Sequence, residues 1–277
     1  MNKSIDVKVK DLVINNNKQF TLIAGPCVIE SKDHALRTAE ELAKICSSLG
    51  LQFIYKSSFD KANRTSLKSS RGPGIEESLE IFSSIKEVIG CPVITDIHEK
   101  EQIPIIANVI DIIQIPAFLC RQTDLLIKAS KTNLPIMVKK GQFLAPWDMK
   151  NVVDKIVNNG SGGVMICERG VSFGYNTLIS DFRSIPILKK IGYPVVFDAT
   201  HSVQQPGGLG EKSGGQREFV PTLATAAAAI GVGAIFMEAH EDPDNAPSDG
   251  PNMMPLNKVK GLLETLIKHD KVAKNIL

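Results

Sequence analysis

An α/β chain folded as a (β/α)8 barrel is what this sequence predicts, on three observations. Eight short β-branched runs recur along it, helical segments lie between most of them, and each run turns polar at its C-terminal end. The length of 277 residues is long for one small domain and short for two ordinary ones, and single barrels fill this range. With 43% hydrophobic and 22% charged residues, the chain can bury a sizeable core.

The elements follow in order. Residues 1–19, with the alternation "IDVKVKDLVI", read as a short N-terminal β-hairpin capping the bottom of the barrel. The first barrel run, "FTLIAGPC", ends at Cys27. The helix "SKDHALRTAEELAKICSSLG" has Ser31 as its N-cap, apolar residues near positions 35, 39, 42, 46 and 49, and Gly50 as its stop. "FIYKSSF" carries Lys56, "PVITDIH" ends at Asp96 and His98, and "DIIQIPAF" carries Gln114. "PIMVKKG" offers Lys139 and Lys140, and "GVMICERG" offers Glu168 and Arg169. "PVVFDATH" ends at Asp198 and His201. In "PTLATAAAAIG", Pro221 opens a helix that Gly231 stops, and "AIFMEAH" closes the series at Glu238 and His240. Strands alternating with helices imply a parallel sheet, whose active site lies at the C-terminal strand ends. A doubly wound open sheet is the alternative, but no GxGxxG follows the first strand. No linker or low-complexity segment divides the chain, so residues 1–277 read as one domain.

A formal net charge of +2 gives no bulk electrostatic argument for nucleic acid or a membrane. The polar start "MNKSIDVKVKDLVINNN" has no signal-peptide apolar core, and the run Leu223 to Phe236 is too short to span a bilayer, so the expectation is a soluble, cytoplasmic protein. The five cysteines lack a CxxC pair and fit a reducing compartment. Cys46 falls on a helix's apolar stripe, and Cys91, Cys120 and Cys167 lie beside or within apolar runs, so all four read as core. On residue type alone Cys27 is also a packing thiol.

Against this neutral background the barrel mouth collects Lys56, Lys61, Lys139, Lys140 and Arg169, which suits a multiply anionic small molecule. The loop "SSFDKANRTSLKSSRGPGIEESL" adds Arg64, Thr65 and Ser66, good phosphate ligands unless the loop is simply a solvated one. The glycine-rich stretch from Gln204 to Glu218 reads as a loop that orders over the mouth when substrates bind. His98 and His240 end strands and either line the mouth or serve as structural histidines; His34, His269 and Trp147 receive no chemical role.

"FDKANRTS" closely resembles the signature of the 3-deoxy-D-manno-octulosonate 8-phosphate synthases. The likeness extends through "GPCVIES", "RGPG", "ITDIHE", "IQIPAFLCRQTDL", "VKKGQF", "ERGVSFGYN", "FDATHSVQQPGG", "SGGQRE" and "MEAHEDPDNAPSDGPNM", in that family's order. It implies condensation of phosphoenolpyruvate with arabinose 5-phosphate and water, in lipopolysaccharide sugar synthesis. By resemblance, Lys61, Lys139 and Arg169 hold phosphoenolpyruvate, with Gln142 and the backbone around Ala117 and Phe118; Lys56 and Gln114 are further substrate-binding candidates. Asn63, Arg64 and Thr65 take the sugar phosphate, with Arg64 reaching across an interface of a homo-oligomer, expected to be a tetramer. Lys61, Asp96, Lys139 and His201 are the candidate catalytic residues. Cysteine at position 27 resembles the metal-dependent branch, with His201, Glu238 and Asp249 as further ligands of Zn²⁺, Fe²⁺, Mn²⁺ or Co²⁺. Two alternatives stay open: the sister synthase that uses erythrose 4-phosphate, whose loop has a proline where Ala62-Asn63 stands here, and a non-catalytic sugar-phosphate-binding barrel.

Overall fold

The computed structural model describes residues 4–63, 71–208 and 214–275. Two antiparallel strands open it, β1 (Val7–Val9) and β2 (Leu12–Ile14). Then β3 (Thr21–Gly25) leads through α1 (Lys32–Ser48) to β4 (Phe53–Lys56), and α2 (Ile75–Val88) leads to β5 (Val93–Asp96). A short turn of helix, α3 (Ile103–Ile106), precedes β6 (Ile112–Ile115). Next come α4 (Thr123–Ser130), β7 (Ile136–Lys139), α5 (Met149–Val157) and β8 (Val164–Glu168). The small pair β9 (Val171–Ser172) and β10 (Leu178–Ile179) is followed by α6 (Ser184–Lys189) and β11 (Val195–Asp198). A second pair, β12 (Gln204–Gln205) and β13 (Gly214–Gly215), precedes α7 (Val220–Ile230) and β14 (Ala234–His240). The strand β15 (Met254–Pro255) and helix α8 (Leu256–Lys274) complete the described chain.

Strands β3 to β8, β11 and β14 run parallel, and β14 pairs with both β11 and β3. That double pairing closes an eight-stranded (β/α)8, or TIM, barrel. Helix α1 starts where the sequence predicts: Ser31 Oγ accepts the His34 N–H at 3.2 Å. Helix α7 ends at Gly231, whose φ of 80° is the left-handed conformation that glycine adopts at least cost.

Alternation along each strand sorts the core into two layers. Leu22, Ile113, Val138, Ile166, Phe197 and Met237 face outward beneath the helices. Ile23, Ile54, Ile94, Ile112, Met137, Met165, Val196 and Phe236 face inward and fill the barrel. The hairpin supplies Val7, Val9 and Ile14 to the same inner cluster, plugging the end where the strands begin. Asn16 fastens it there: its Nδ2 donates to Tyr193 O at 2.9 Å, and its Oδ1 accepts the Val195 N–H at 2.8 Å. Burying one such Ile or Met contributes about 1.5–3 kcal/mol, so the plugged end is a main source of stability.

Two residues further along, the inward positions change character. Ile54 gives way to Lys56, Ile94 to Asp96, Ile112 to Gln114, Met137 to Lys139, Val196 to Asp198 and Phe236 to Glu238. The fold thereby turns one apolar layer into a ring of buried polar groups at the C-terminal mouth. Among the described residues, no helix is long and apolar enough to cross a membrane.

Candidate active site and metal centre

The mouth begins where β3 meets β4. Gly25 is required there, because a Cβ on it would lie 2.0 Å from Lys56 O. This close approach puts Cys27 beside Lys56, whose Nζ donates to Cys27 O at 3.2 Å, Ser58 Oγ at 3.2 Å and Glu238 Oε1 at 3.0 Å. Lys56 is buried and its ammonium is fully engaged within the protein.

Across the barrel, Lys139 Nζ donates to Asp198 Oδ2 at 2.5 Å. The same carboxylate oxygen lies 2.8 Å from His201 Nδ1, while Oδ1 accepts the Thr200 hydroxyl at 3.2 Å and the His201 N–H at 2.9 Å. Burial opposes charge on Asp198, but His201 and Lys139 outweigh it and hold the carboxyl well below the usual range. A carboxylate on one imidazole nitrogen fixes the ring and frees the other nitrogen. That nitrogen, His201 Nε2, lies 3.7 Å from Glu238 Oε1 and 3.8 Å from Asp249 Oδ2.

Cys27, Glu238 and Asp249 each offer a ligand atom, and the three atoms lie within 4.8 Å of one another. The Cys27 thiol donates to Asp249 Oδ2 at 3.2 Å. Burial first, and Glu238 second, push the thiol well above its ordinary pKa. Glu238 is also buried, yet Lys56, His201 and Lys61 offset that and keep its pKa low. Its Oε2 has no hydrogen-bond partner among the described residues. A divalent cation fits this constellation: it would satisfy the orphaned oxygen and convert the thiol to a thiolate. Sulfur, imidazole and carboxylate donors suit Zn²⁺, Fe²⁺, Mn²⁺ or Co²⁺ better than Mg²⁺ or Ca²⁺.

The remaining cations face a different situation. Lys61 Nζ donates to Ser58 Oγ at 2.9 Å, and Arg169 Nη2 donates to Gln204 Oε1 at 2.9 Å. Among the described residues, neither cation is ion-paired with a carboxylate, although Arg169 is only 5% exposed. Burial lowers the Lys61 pKa, but Cys27, Glu238, Asp96 and Asp249 outweigh it and raise the balance. Gln114 Oε1, Gln142 Oε1 and Asp96 Oδ1 are buried without partners among the described residues. Asp96 Oδ2 lies 2.9 Å from His98 Nε2; burial opposes its charge, but His98, Lys61 and Lys56 hold its pKa low. A buried arginine and a half-buried lysine whose hydrogen-bond partners are neutral form a cradle for a small anion.

The other sequence candidates fall around this centre. Ala117 and Phe118 lie on the 3-10 turn Ala117–Leu119 after β6, with Phe118 55% exposed. Asn63 is exposed, and Arg64 and Thr65 lie outside the described residues. Of the glycine-rich stretch, the two ends form the β12–β13 pair, and residues 209–213 also lie outside. Lys140 does not join the mouth cations as the sequence suggests. Alternation turns it away from Lys139, and its Nζ serves the carbonyls of Gly141, Leu144 and Gly170 and lies 3.4 Å from Glu168 Oε1. The sequence pattern assigns no role to Asp198 in holding His201 and none to Gln204; the inward parity of Asp198 is the one signal it offers.

A second group, Glu30, His34 and His240, has ligand-competent atoms equally close together. Here the chemistry favours hydrogen bonds. The Asp242 N–H donates to His240 Nδ1 at 2.9 Å, which puts the ring proton on Nε2, facing Glu30 Oε1 at 2.8 Å. His34 Nε2 lies 2.8 Å from Glu241 Oε2 in the same manner. Both histidines are structural ties between the start of α1 and the end of β14.

A closed parallel barrel with an anion cradle at the C-terminal strand ends defines a (β/α)8-barrel enzyme of small, charged metabolites. The comparison with known proteins narrows this class. Residues 4–275 match the DAHP synthetase I family, and the chain belongs to it. It is 58% identical over 271 residues to a 2-dehydro-3-deoxyphosphooctonate aldolase of Bartonella henselae, covering 98% of this chain and 97% of that protein. A protein of the same description from Brucella anthropi is 59% identical over 270 residues, covering 98% of each chain. One from Brucella ovis is 60% identical over 268 residues, covering 97% of each.

Proposed function

We propose that this chain joins phosphoenolpyruvate to D-arabinose 5-phosphate, consuming water and giving 3-deoxy-D-manno-octulosonate 8-phosphate and inorganic phosphate for lipopolysaccharide sugar synthesis. The observation that carries this reading is the pair of mouth cations, Lys61 and Arg169, that meet only neutral hydrogen-bond partners among the described residues. A substrate bearing both phosphate and carboxylate supplies the anions they lack. The identity of about three residues in five to proteins described as 2-dehydro-3-deoxyphosphooctonate aldolases supports the same reaction.

In this reading Lys61, Lys139 and Arg169 hold phosphoenolpyruvate, with Gln142, Gln114 and the Ala117–Phe118 turn completing the pocket. Asn63, Arg64 and Thr65 take the phosphate of the sugar. C3 of the enol forms a bond to the aldehyde carbon, the aldehyde oxygen gains a proton, water adds at C2, and phosphate leaves with its bridging oxygen. The fixed cations hold the reacting carbons in register and stabilise the charge that builds on the enol phosphate. Asp96 and His201 stand at the mouth as proton-relay groups, and Lys56 keeps Glu238 ionised. Cys27, His201, Glu238 and Asp249 would hold a divalent cation, which supplies polarisation of the aldehyde or of water when bound.

A homo-oligomer, proposed to be a tetramer, accounts for a patch of apolar surface. Phe118, Phe143, Trp147 and Phe173, on the loops after the adjacent strands β6, β7 and β8, are all more than half exposed. A second copy covering these loops would bury them, and the same proposal has Arg64 reaching across an interface to the sugar phosphate.

The test is phosphate release from phosphoenolpyruvate with each aldehyde in turn. Arabinose 5-phosphate is expected to support turnover and erythrose 4-phosphate far less. Preference for erythrose 4-phosphate would assign the sister activity, and release with neither sugar would leave a binding barrel.

A further inference from the structure

Gln204 sits at the first position of β12 and touches both halves of the mouth. Its Oε1 accepts from Arg169 Nη2 at 2.9 Å, and its Nε2 donates to Asp249 Oδ1 at 3.1 Å. The amide orientation is fixed by chemistry, since a guanidinium only donates and a carboxylate only accepts. A glutamate here would confront Asp249, and a lysine would confront Arg169. Only a neutral group with both a donor and an acceptor satisfies the two neighbours together.

Asp249 needs such a hold. Its φ of 52° is left-handed, unusual for a non-glycine residue, so the surrounding structure must maintain it. The β12–β13 pair and the 3-10 turn Arg217–Phe219 after it do this at three points. Besides Gln204, a Cβ on Gly215 would lie 1.5 Å from Asn252 Oδ1, so the hairpin is pressed against the Asp249 loop. Arg217 Nη2 donates to Gly250 O at 2.5 Å and to Asp244 Oδ1 at 2.8 Å.

We propose that Gln204 is a positioning residue that couples anion binding at Arg169 to cation binding at Asp249. This rests on the functional reading above, with Arg169 on phosphoenolpyruvate and Asp249 in the cation site. When an anion engages the Arg169 guanidinium, the acceptor half of Gln204 is disturbed. The donor half carries that change to Asp249 Oδ1. By thermodynamic reciprocity the cation alters anion affinity by the same factor.

The experiment titrates Co²⁺ into the metal-stripped full-length protein, reads the cysteine thiolate-to-cobalt absorption, and repeats the titration with saturating phosphoenolpyruvate. In the unaltered protein, phosphoenolpyruvate is expected to change the Co²⁺ affinity by about fivefold or more. In Gln204→Met, which keeps length and loses both hydrogen bonds, that change is expected to fall below about twofold. Gln204→Glu, which keeps the acceptor for Arg169 and lacks the donor for Asp249, is expected to lose the coupling too and serves if the Met variant does not fold. A full phosphoenolpyruvate-dependent change in either folded variant overturns the proposal. Co²⁺ binding that phosphoenolpyruvate leaves unchanged in the unaltered protein overturns the coupling and leaves the functional reading standing. Absence of Co²⁺ binding there overturns the cation-site assignment and the coupling with it.

Discussion

The two ends of the barrel interior are built from the same eight strands and could hardly differ more. At the N-terminal end, Ile54, Ile94, Met137, Met165 and Val196 meet Val7, Val9 and Ile14 of the hairpin in an apolar plug. One pleat away, Lys56, Asp96, Lys139, Asp198 and Glu238 occupy equally buried positions. The plug stabilises the fold through transfer of apolar area from water. The mouth contributes little net stability, because a buried ion pair such as Lys56–Glu238 or Lys139–Asp198 roughly offsets its own desolvation. The stable end therefore tolerates an opposite end whose residues are selected for chemistry.

That contrast is open to direct attack. Lys139→Ala should have the largest effect, lowering kcat/KM for phosphoenolpyruvate by about 10²–10³-fold, as read by phosphate release. It also takes from buried Asp198 its lysine ion-pair partner, which is expected to cost about 3–5 kcal/mol in denaturant unfolding. At the other end, Ile94→Ala should cost about 2–5 kcal/mol of stability while the folded fraction keeps its kcat. If Ile94→Ala instead abolished turnover in folded protein, the separation of the two ends would fail. Asn16→Ala tests the hairpin's anchor and should cost about 1–3 kcal/mol, because the Val195 N–H loses its partner. The smallest effect belongs to Lys8→Ala, on the exposed face of β1, expected within about 0.5 kcal/mol of the parent in the same assay.

How much of this was legible in the sequence follows from the range of each signal. The eight strand runs, the hairpin and the caps at Ser31 and Gly231 were visible because alternation, capping and turn chemistry are local. The polar strand ends were visible as well, but a list of polar residues does not say which face each occupies. Lys139 and Lys140 look equivalent in a string; the pleat sends one to Asp198 and the other to backbone carbonyls outside the mouth. The site itself is non-local. Cys27 and Asp249 are 222 residues apart, and no spacing rule joins them before the barrel closes. Their association was legible only through the family resemblance, as was the choice of sugar. Gln204 escaped because glutamines in a glycine-rich stretch carry no chemical signature of their own; both of its partners had to be placed first.

The mouth is proposed to be a cation-assisted condensing site. Phosphate release from phosphoenolpyruvate and arabinose 5-phosphate, measured before chelation, after it and after divalent add-back, tests it most directly. Activity is expected to disappear on metal removal and to return with Zn²⁺, Fe²⁺, Mn²⁺ or Co²⁺. Full activity in protein verified to be metal-free would contradict it and return Cys27 to the role of a packing thiol.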